Sequence, residues 1–247
     1  DYTVYFGKSG PATNVDFQNL YFDSSQMGIR LLSGNKLIDN VTIRNVHGVC
    51  QAYWLIIDNY LQNPAGLEDA GPGNVGNVLI ENIKVTNLSG TAYSGNFAKG
   101  SINCNVENLT LRNYVRKDFN VNNNPSLMVN GVNTIVRFLN IENYYSYDSS
   151  TLNTINHFLI DKATVNNIFI SGYCERAGLS NNSPLLKIVN SAKVDRLFLN
   201  GVTVLGSNNL LDNSANLSFI RAVGIHHKAT DNTTATFKTT TIVNDIV

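Results

Sequence analysis

The chain has 247 residues, with 18 basic and 18 acidic side chains and no formal net charge at neutral pH. Charged residues make up only 15%, and this even balance excludes the basic footprint of a nucleic-acid or anionic-membrane binder. Polarity comes from amides instead: 38 residues are Asn, a type that favours turns and caps over helix interiors. In chain order, a first strand is predicted at 3–6, followed by an eleven-residue pattern at Asn14 (NVDFQNLYFDS). The same frame returns at Asn35 (NKLIDNVTIRN), Asn77 (NVLIENIKVTN), Asn103 (NCNVENLTLRN) and Asn133 (NTIVRFLNIEN). It returns again at Lys162 (KATVNNIFISG), Ser191 (SAKVDRLFLNG) and Ser214 (SANLSFIRAVG). By subtraction, successive starts are 21, 42, 26, 30, 29, 29 and 23 residues apart, the spacing of a solenoid.

Columns four, seven and nine of the pattern are apolar in every copy, for example Ile38, Val41 and Ile43, then Ile80, Ile83 and Val85. Alternation with β-branched residues predicts half-buried strands, placed at columns two to five and seven to ten. Column six lies between them as Asn19, Asn40, Asn82, Asn108, Phe138, Asn167, Arg196 and Phe219. Asn tolerates the left-handed backbone of a sharp bend, and stacked carboxamides can hydrogen-bond from copy to copy. Column eleven is Ser24, four Asn and finally Gly172, Gly201 and Gly224, again residues that accept positive φ. A third strand is predicted before each later copy, at 28–33, 53–58, 96–99, 126–130, 156–161, 185–190 and 208–212. About eight three-strand coils stacked at about 4.8 Å would form a parallel β-helix roughly 38 Å tall.

This amide ladder resembles that of the pectate-lyase-like right-handed parallel β-helix superfamily, which includes pectate lyases, polygalacturonases and phage tailspikes. The resemblance covers roughly Thr3 to Gly224 and implies a fold, all-β and solenoidal; fold alone does not fix activity. Residues 1–225 are assigned to the β-helix, with 59–76 as an inserted loop. Residues 226–247 are a Thr-rich terminal cap or oligomerisation segment. Strand signals begin at Tyr2 with nothing before them to cover the first coil, so a cap from a further segment or a partner subunit is expected.

The long connections are predicted near 59–76, 88–95, 114–125, 144–155 and 173–184. In the superfamily such loops border the groove on the first-strand sheet. They carry Tyr60, Tyr93, Tyr114, Tyr144, Tyr145, Tyr147 and Tyr173, candidates for stacking on sugar rings, where a flat apolar face meets sugar C–H groups. The catalytic motifs of the family's lyases and galacturonases are absent: there is no Asp-Asp pair, and Val46-His47-Gly48 only echoes a Gly-His-Gly. Catalytic candidates come from position alone. Asp58, Asp161 and Asp212 end first strands, with Asp161 and Asp212 about two rungs, roughly 10 Å, apart. An inverting glycosidase places its carboxylates about 6.5–9.5 Å apart. His157 and Lys187, on the same sheet, are candidate bases for lyase chemistry.

No metal or cofactor is expected. Adjacent His226 and His227 on a strand point opposite ways, and Cys50, Cys104 and Cys174 have the spacing of neither a disulfide framework nor a zinc site. The sequons at Asn40 and Asn108 lie in the predicted ladder and read as structural. No apolar run approaches the roughly 18 residues of a membrane span. The expected function is that of a phage tailspike or tail-fibre-like receptor-binding module. It would be extracellular or virion-borne, a homotrimer, and would bind bacterial surface polysaccharide with or without depolymerising it. The alternatives are a secreted polysaccharide lyase or glycoside hydrolase, and a non-catalytic adhesin or structural solenoid.

Overall fold

The computed structural model describes residues 2–6, 11–59, 71–87, 99–118, 125–148, 156–176, 184–206, 209–229, 236–239 and 243–244. Among them the regular elements are β-strands, and their pairings are parallel. The chain is a parallel β-solenoid with three faces. The first face stacks Tyr2–Phe6, residues 27–33 and 53–59, Lys99–Ile102, Leu127–Asn130, Phe158–Asp161, Leu186–Val189, Leu211–Asn213 and Phe237–Lys238. The second stacks Ala12–Gln18, residues 38–44, 75–81, 106–112, 135–142, 164–170 and 193–200, Asn216–Val223 and Val243–Asn244. The third stacks residues 21–23, 46–50, 83–87, 114–118, 144–148, 172–176 and 202–205, then His226–Lys228.

The amide ladder is real but double. Asn19, Asn45, Asn82, Asn113 and Asn143 all have φ between 53° and 57°. From Asn45 onward each donates its Nδ2 to the Oδ1 of the Asn one coil earlier, at 2.9, 3.0, 2.9 and 2.9 Å in chain order. A second ladder runs beside it. Asn40 donates to Asn14 at 2.6 Å, Asn77 to Asp39 at 3.1 Å, Asn108 to Asn77 at 3.4 Å and Asn140 to Asn108 at 2.9 Å. The predicted single ladder merged the two, because the copies at Asn14 and Asn77 were set five residues out of frame. The register pairs Asn40 with Asn14 and Asn77 with Asn108, while Asn82 belongs with Asn45 and Asn113. The bend also moves. With Asn14 and Asn77 brought into column six by the register, the sharp left-handed turn falls at column eleven, and after Asn14 and Asn40 no column-six residue has a positive φ.

Two further placements differ from the expectation. The strand expected at 96–99 is Lys99–Ile102. The segments from 114, 144 and 173, expected as loops, begin as third-face strands that end at Asp118, Asp148 and Arg176. Past residue 225, His226–Lys228, Phe237–Lys238 and Val243–Asn244 each pair onto a face.

The interior is filled by like residues in columns. Val41, Val78, Leu109, Leu139, Ile168, Leu197 and Ile220 succeed one another, all buried. Each such side chain contributes about 1.5–3 kcal/mol on burial. Where Phe22 points inward, its neighbour one coil on is Gly48, and a Cβ there would overlap the Phe22 ring. Gly172 (φ 148°) lies opposite Tyr144 of the neighbouring coil, where a Cβ would collide with the Tyr144 backbone. The three cysteines are free and buried.

Candidate functional site

The first-face carboxylates are each engaged by a neighbour. The Arg30 guanidinium grips Asp58 with two bonds, Nε to Oδ1 at 3.1 Å and Nη2 to Oδ2 at 2.6 Å. Asp212 lies between the ammonium groups of Lys238, at 3.2 Å, and Lys187, at 3.7 Å. Asp161 accepts a hydrogen bond from Asn190 Nδ2 at 2.9 Å. The register places Asp161 beside Val189 and Asp212 beside Lys187. The two are thus offset by two rungs and two residues, about 12 Å between backbones, and Asp58 is a further three rungs away in the column of Asp161. The geometry does not bring the candidates together as a carboxylate pair. His157 is turned inward and buried, its Nδ1 at 3.1 Å from the Tyr144 hydroxyl.

The seven candidate tyrosines divide. Tyr60 and Tyr93 lie outside the described residues. Tyr114 and Tyr144 are fully buried because they occupy the inward position after the ladder Asn, which Val46 and Ile83 fill in earlier coils. Their rings meet edge to face at 5.3 Å, between Trp54 on one side and Phe158 on the other. The Tyr144 hydroxyl also shares a 2.6 Å hydrogen bond with Ser126 Oγ, which accepts from the buried Arg116 guanidinium at 2.8 Å. Burial pushes the Tyr144 phenol well above its ordinary pKa. This interior network ties the third face to the first, and its groups are spent on one another.

Tyr145, Tyr147 and Tyr173 point outward from the third face. Tyr145 and Tyr173 occupy adjacent rungs and stack at 5.5 Å with rings 10° apart. The Tyr173 hydroxyl donates to Glu175 at 2.6 Å, a bond that pushes its pKa up to about 12. The same outward row reads Tyr21, His47, Lys84, Val115, Tyr145, Tyr173, Thr203 and His226 along the solenoid. Tyr21 is 68% exposed and borders an open concavity of about 740 Å³ shared with His47 and Lys84. Tyr21, His47 and Lys84 are not among the site residues expected from the sequence. Their signal was the residue two places after the column-eleven Asn, visible only once the copies are in frame. His226 sits in the outward row, whereas His227 faces the inward column and contacts Thr236 Oγ1 at 3.0 Å.

The molecule is therefore a parallel β-solenoid with an outward aromatic row on one face. Among the described residues no group of three or more His, Cys, Asp and Glu side chains could hold a metal ion, and no helix is long and apolar enough to cross a membrane. Comparison with protein-family models, with curated proteins and with solved structures finds no match.

Proposed function

We propose that this solenoid is a receptor-binding module of the phage tailspike or tail-fibre type. In this reading it is extracellular or virion-borne, acts as a homotrimer, and binds bacterial surface polysaccharide along its third face. The observation that carries the reading is the exposed Tyr145–Tyr173 stack, with Tyr147 beside it. The outer faces of that pair lie over Val115 and Thr203, side chains too short to cover a phenol ring. A pyranose can lie against either face through its C–H groups. Toward the start of the chain the same row presents Tyr21, His47 and Lys84, so a glycan running parallel to the axis meets aromatic and hydrogen-bonding groups across six rungs, five steps or roughly 24 Å. The proposal is one of binding, since Asp58, Asp161 and Asp212 are each held by a partner.

The test is electrophoretic retardation in gels that contain bacterial capsular polysaccharides or O-polysaccharides. Wild-type protein should be retarded by at least one glycan of the panel, and a Tyr145→Ala/Tyr173→Ala variant should run freely. No retardation by any glycan, or equal retardation of the variant, overturns the reading. Light scattering that finds a monomer removes the trimer from it. Release of unsaturated products absorbing in the near ultraviolet would assign the chain to the lyases instead.

A further inference from the structure

On the second face, side chains alternate in and out except at one place. Between buried Val136 and Leu139, Val165 and Ile168, Val194 and Leu197, and Leu217 and Ile220, two successive residues face outward. This break in the alternation opens a notch of about 720 Å³. One of its columns is Phe138, Asn167, Arg196 and Phe219 on successive rungs, and the next outward column is Asn140, Phe169, Phe198 and Arg221. Phe169 and Phe198 stack at 4.6 Å with rings 5° apart, and Phe198 leans on Phe219 at 5.8 Å. Asn167 and Arg196 therefore sit in a bay with Phe138 at one end and Phe219 at the other, and the Phe169–Phe198 pair stands in the next outward column. Phe138 and Phe169 are each 37% exposed. The notch is also lined by Asn166, whose Nδ2 donates to Asp195 at 2.6 Å.

At the centre of this bay the Arg196 guanidinium makes no hydrogen bond, ion pair or ring contact among the described residues. The other arginine of the notch, Arg137, is paired with Glu107 at 3.1 Å. We infer that the bay is a binding site for an acidic sugar, a hexuronate or a related carboxylated pyranose, presented as a chain end or a side branch. Three demands meet in that ligand class. Phenyl rings at both ends call for an apolar C–H face. A free guanidinium calls for a carboxylate that can accept two parallel bonds. Asp195 has lone pairs beyond the one Asn166 uses and calls for hydroxyl donors. An inorganic anion meets only the second demand, and a neutral sugar fails it. The site needs nothing from the third-face tyrosines, so each can fail without the other.

The experiment is saturation-transfer NMR with D-glucuronate, D-galacturonate, D-mannuronate and N-acetylneuraminate, each against its neutral methyl ester. At least one acid should bind, and its ester should bind about tenfold more weakly or worse, as loss of a charge-assisted bond requires. Arg196→Gln should weaken the acid by the same factor and leave the ester unchanged, while Phe138→Ala should weaken both. Both positions are exposed, and an unchanged melting temperature will show that the variants fold. The inference is overturned if no acid binds in an Arg196-dependent way. It is also overturned if Tyr145→Ala/Tyr173→Ala, rather than Arg196→Gln, abolishes the signal.

Discussion

Asn82 sits midway along the outer amide ladder, and replacing it separates the two things a ladder residue does. Its side chain donates to Asn45 at 3.0 Å and accepts from Asn113 at 2.9 Å, while its backbone holds φ 55°. A net amide hydrogen bond contributes about 0.5–1.5 kcal/mol, and these are exposed, so the pair together contributes about 1 kcal/mol. A left-handed backbone costs an ordinary L-residue about 1–2 kcal/mol, a penalty that Asn partly escapes and Gly does not pay. Asn82→Ala should therefore lose about 2–3 kcal/mol and Asn82→Gly about 1–2 kcal/mol, the remainder for Gly being lost bonds and added chain entropy. At about 2–4 °C per kcal/mol for a chain of this size, Ala should melt about 5–10 °C lower. Differential scanning calorimetry measures the shift. Amide exchange should show faster opening in the rungs that carry Asn45 and Asn113 before distant ones, since repeat units couple mainly to their neighbours. If Gly proves no better than Ala, or if both stay within about 0.5 kcal/mol of wild type, the ladder is decoration and the reasoning fails.

The other expectations concern single contacts. Asp39 accepts from the Asn77 backbone N–H at 2.6 Å, chiefly for which reason its pKa lies below the usual 3.8. The stability it lends is present above that value and is lost as pH falls through the lower folded one, so urea midpoints of wild type and Asp39→Asn should differ at pH 5 and converge as pH falls below the folded value. Gly76→Ala should break the same contact, because a Cβ would overlap the Asp39 carboxylate; chemical denaturation should find it less stable by about 1–3 kcal/mol. An alternating charge ladder, Asp16–Arg44–Glu81–Arg112–Glu142, runs on the second face. Arg112→Gln should cost no more than about 1 kcal/mol, and less at high salt. Burial pushes the Cys104 and Cys174 thiols up, and an aromatic disulfide reagent at pH 8 should react with them only after unfolding in guanidinium.

The stack itself was legible because burial in a solenoid repeats: the same inward column must be apolar in coil after coil, and Val106, Val136, Val165 and Val194 announce it. The frame was not fully legible, for a reason that lies in the chain. Asn recurs five residues apart at 14 and 19, 40 and 45, 77 and 82, and 108 and 113, with apolar residues following each at the first and third places for most copies. A shift of five maps one ladder onto the other and leaves the alternation intact, so only the hydrogen-bond register tells them apart. Extending the copies past column eleven would have placed Tyr114 and Tyr144 in line with Val46 and Ile83, and hence inside.

The notch was hidden by the opposite effect. Columns four and seven are both apolar, which strict alternation forbids, and the break was read as a bend between two strands. In the structure one strand spans it, and two adjacent side chains face outward together. A regular strand gives each coil one outward residue for every inward one, so a flat parallel face offers a ligand only ridges. Parity fails at this place in coil after coil, and in the four coils from Val136 to Ile220 the extra outward residues line up and enclose a volume. Arg196 stands at that place with its guanidinium unspent, flanked by the phenyl rings of Phe138 and Phe219, and no structural task within the described residues accounts for it.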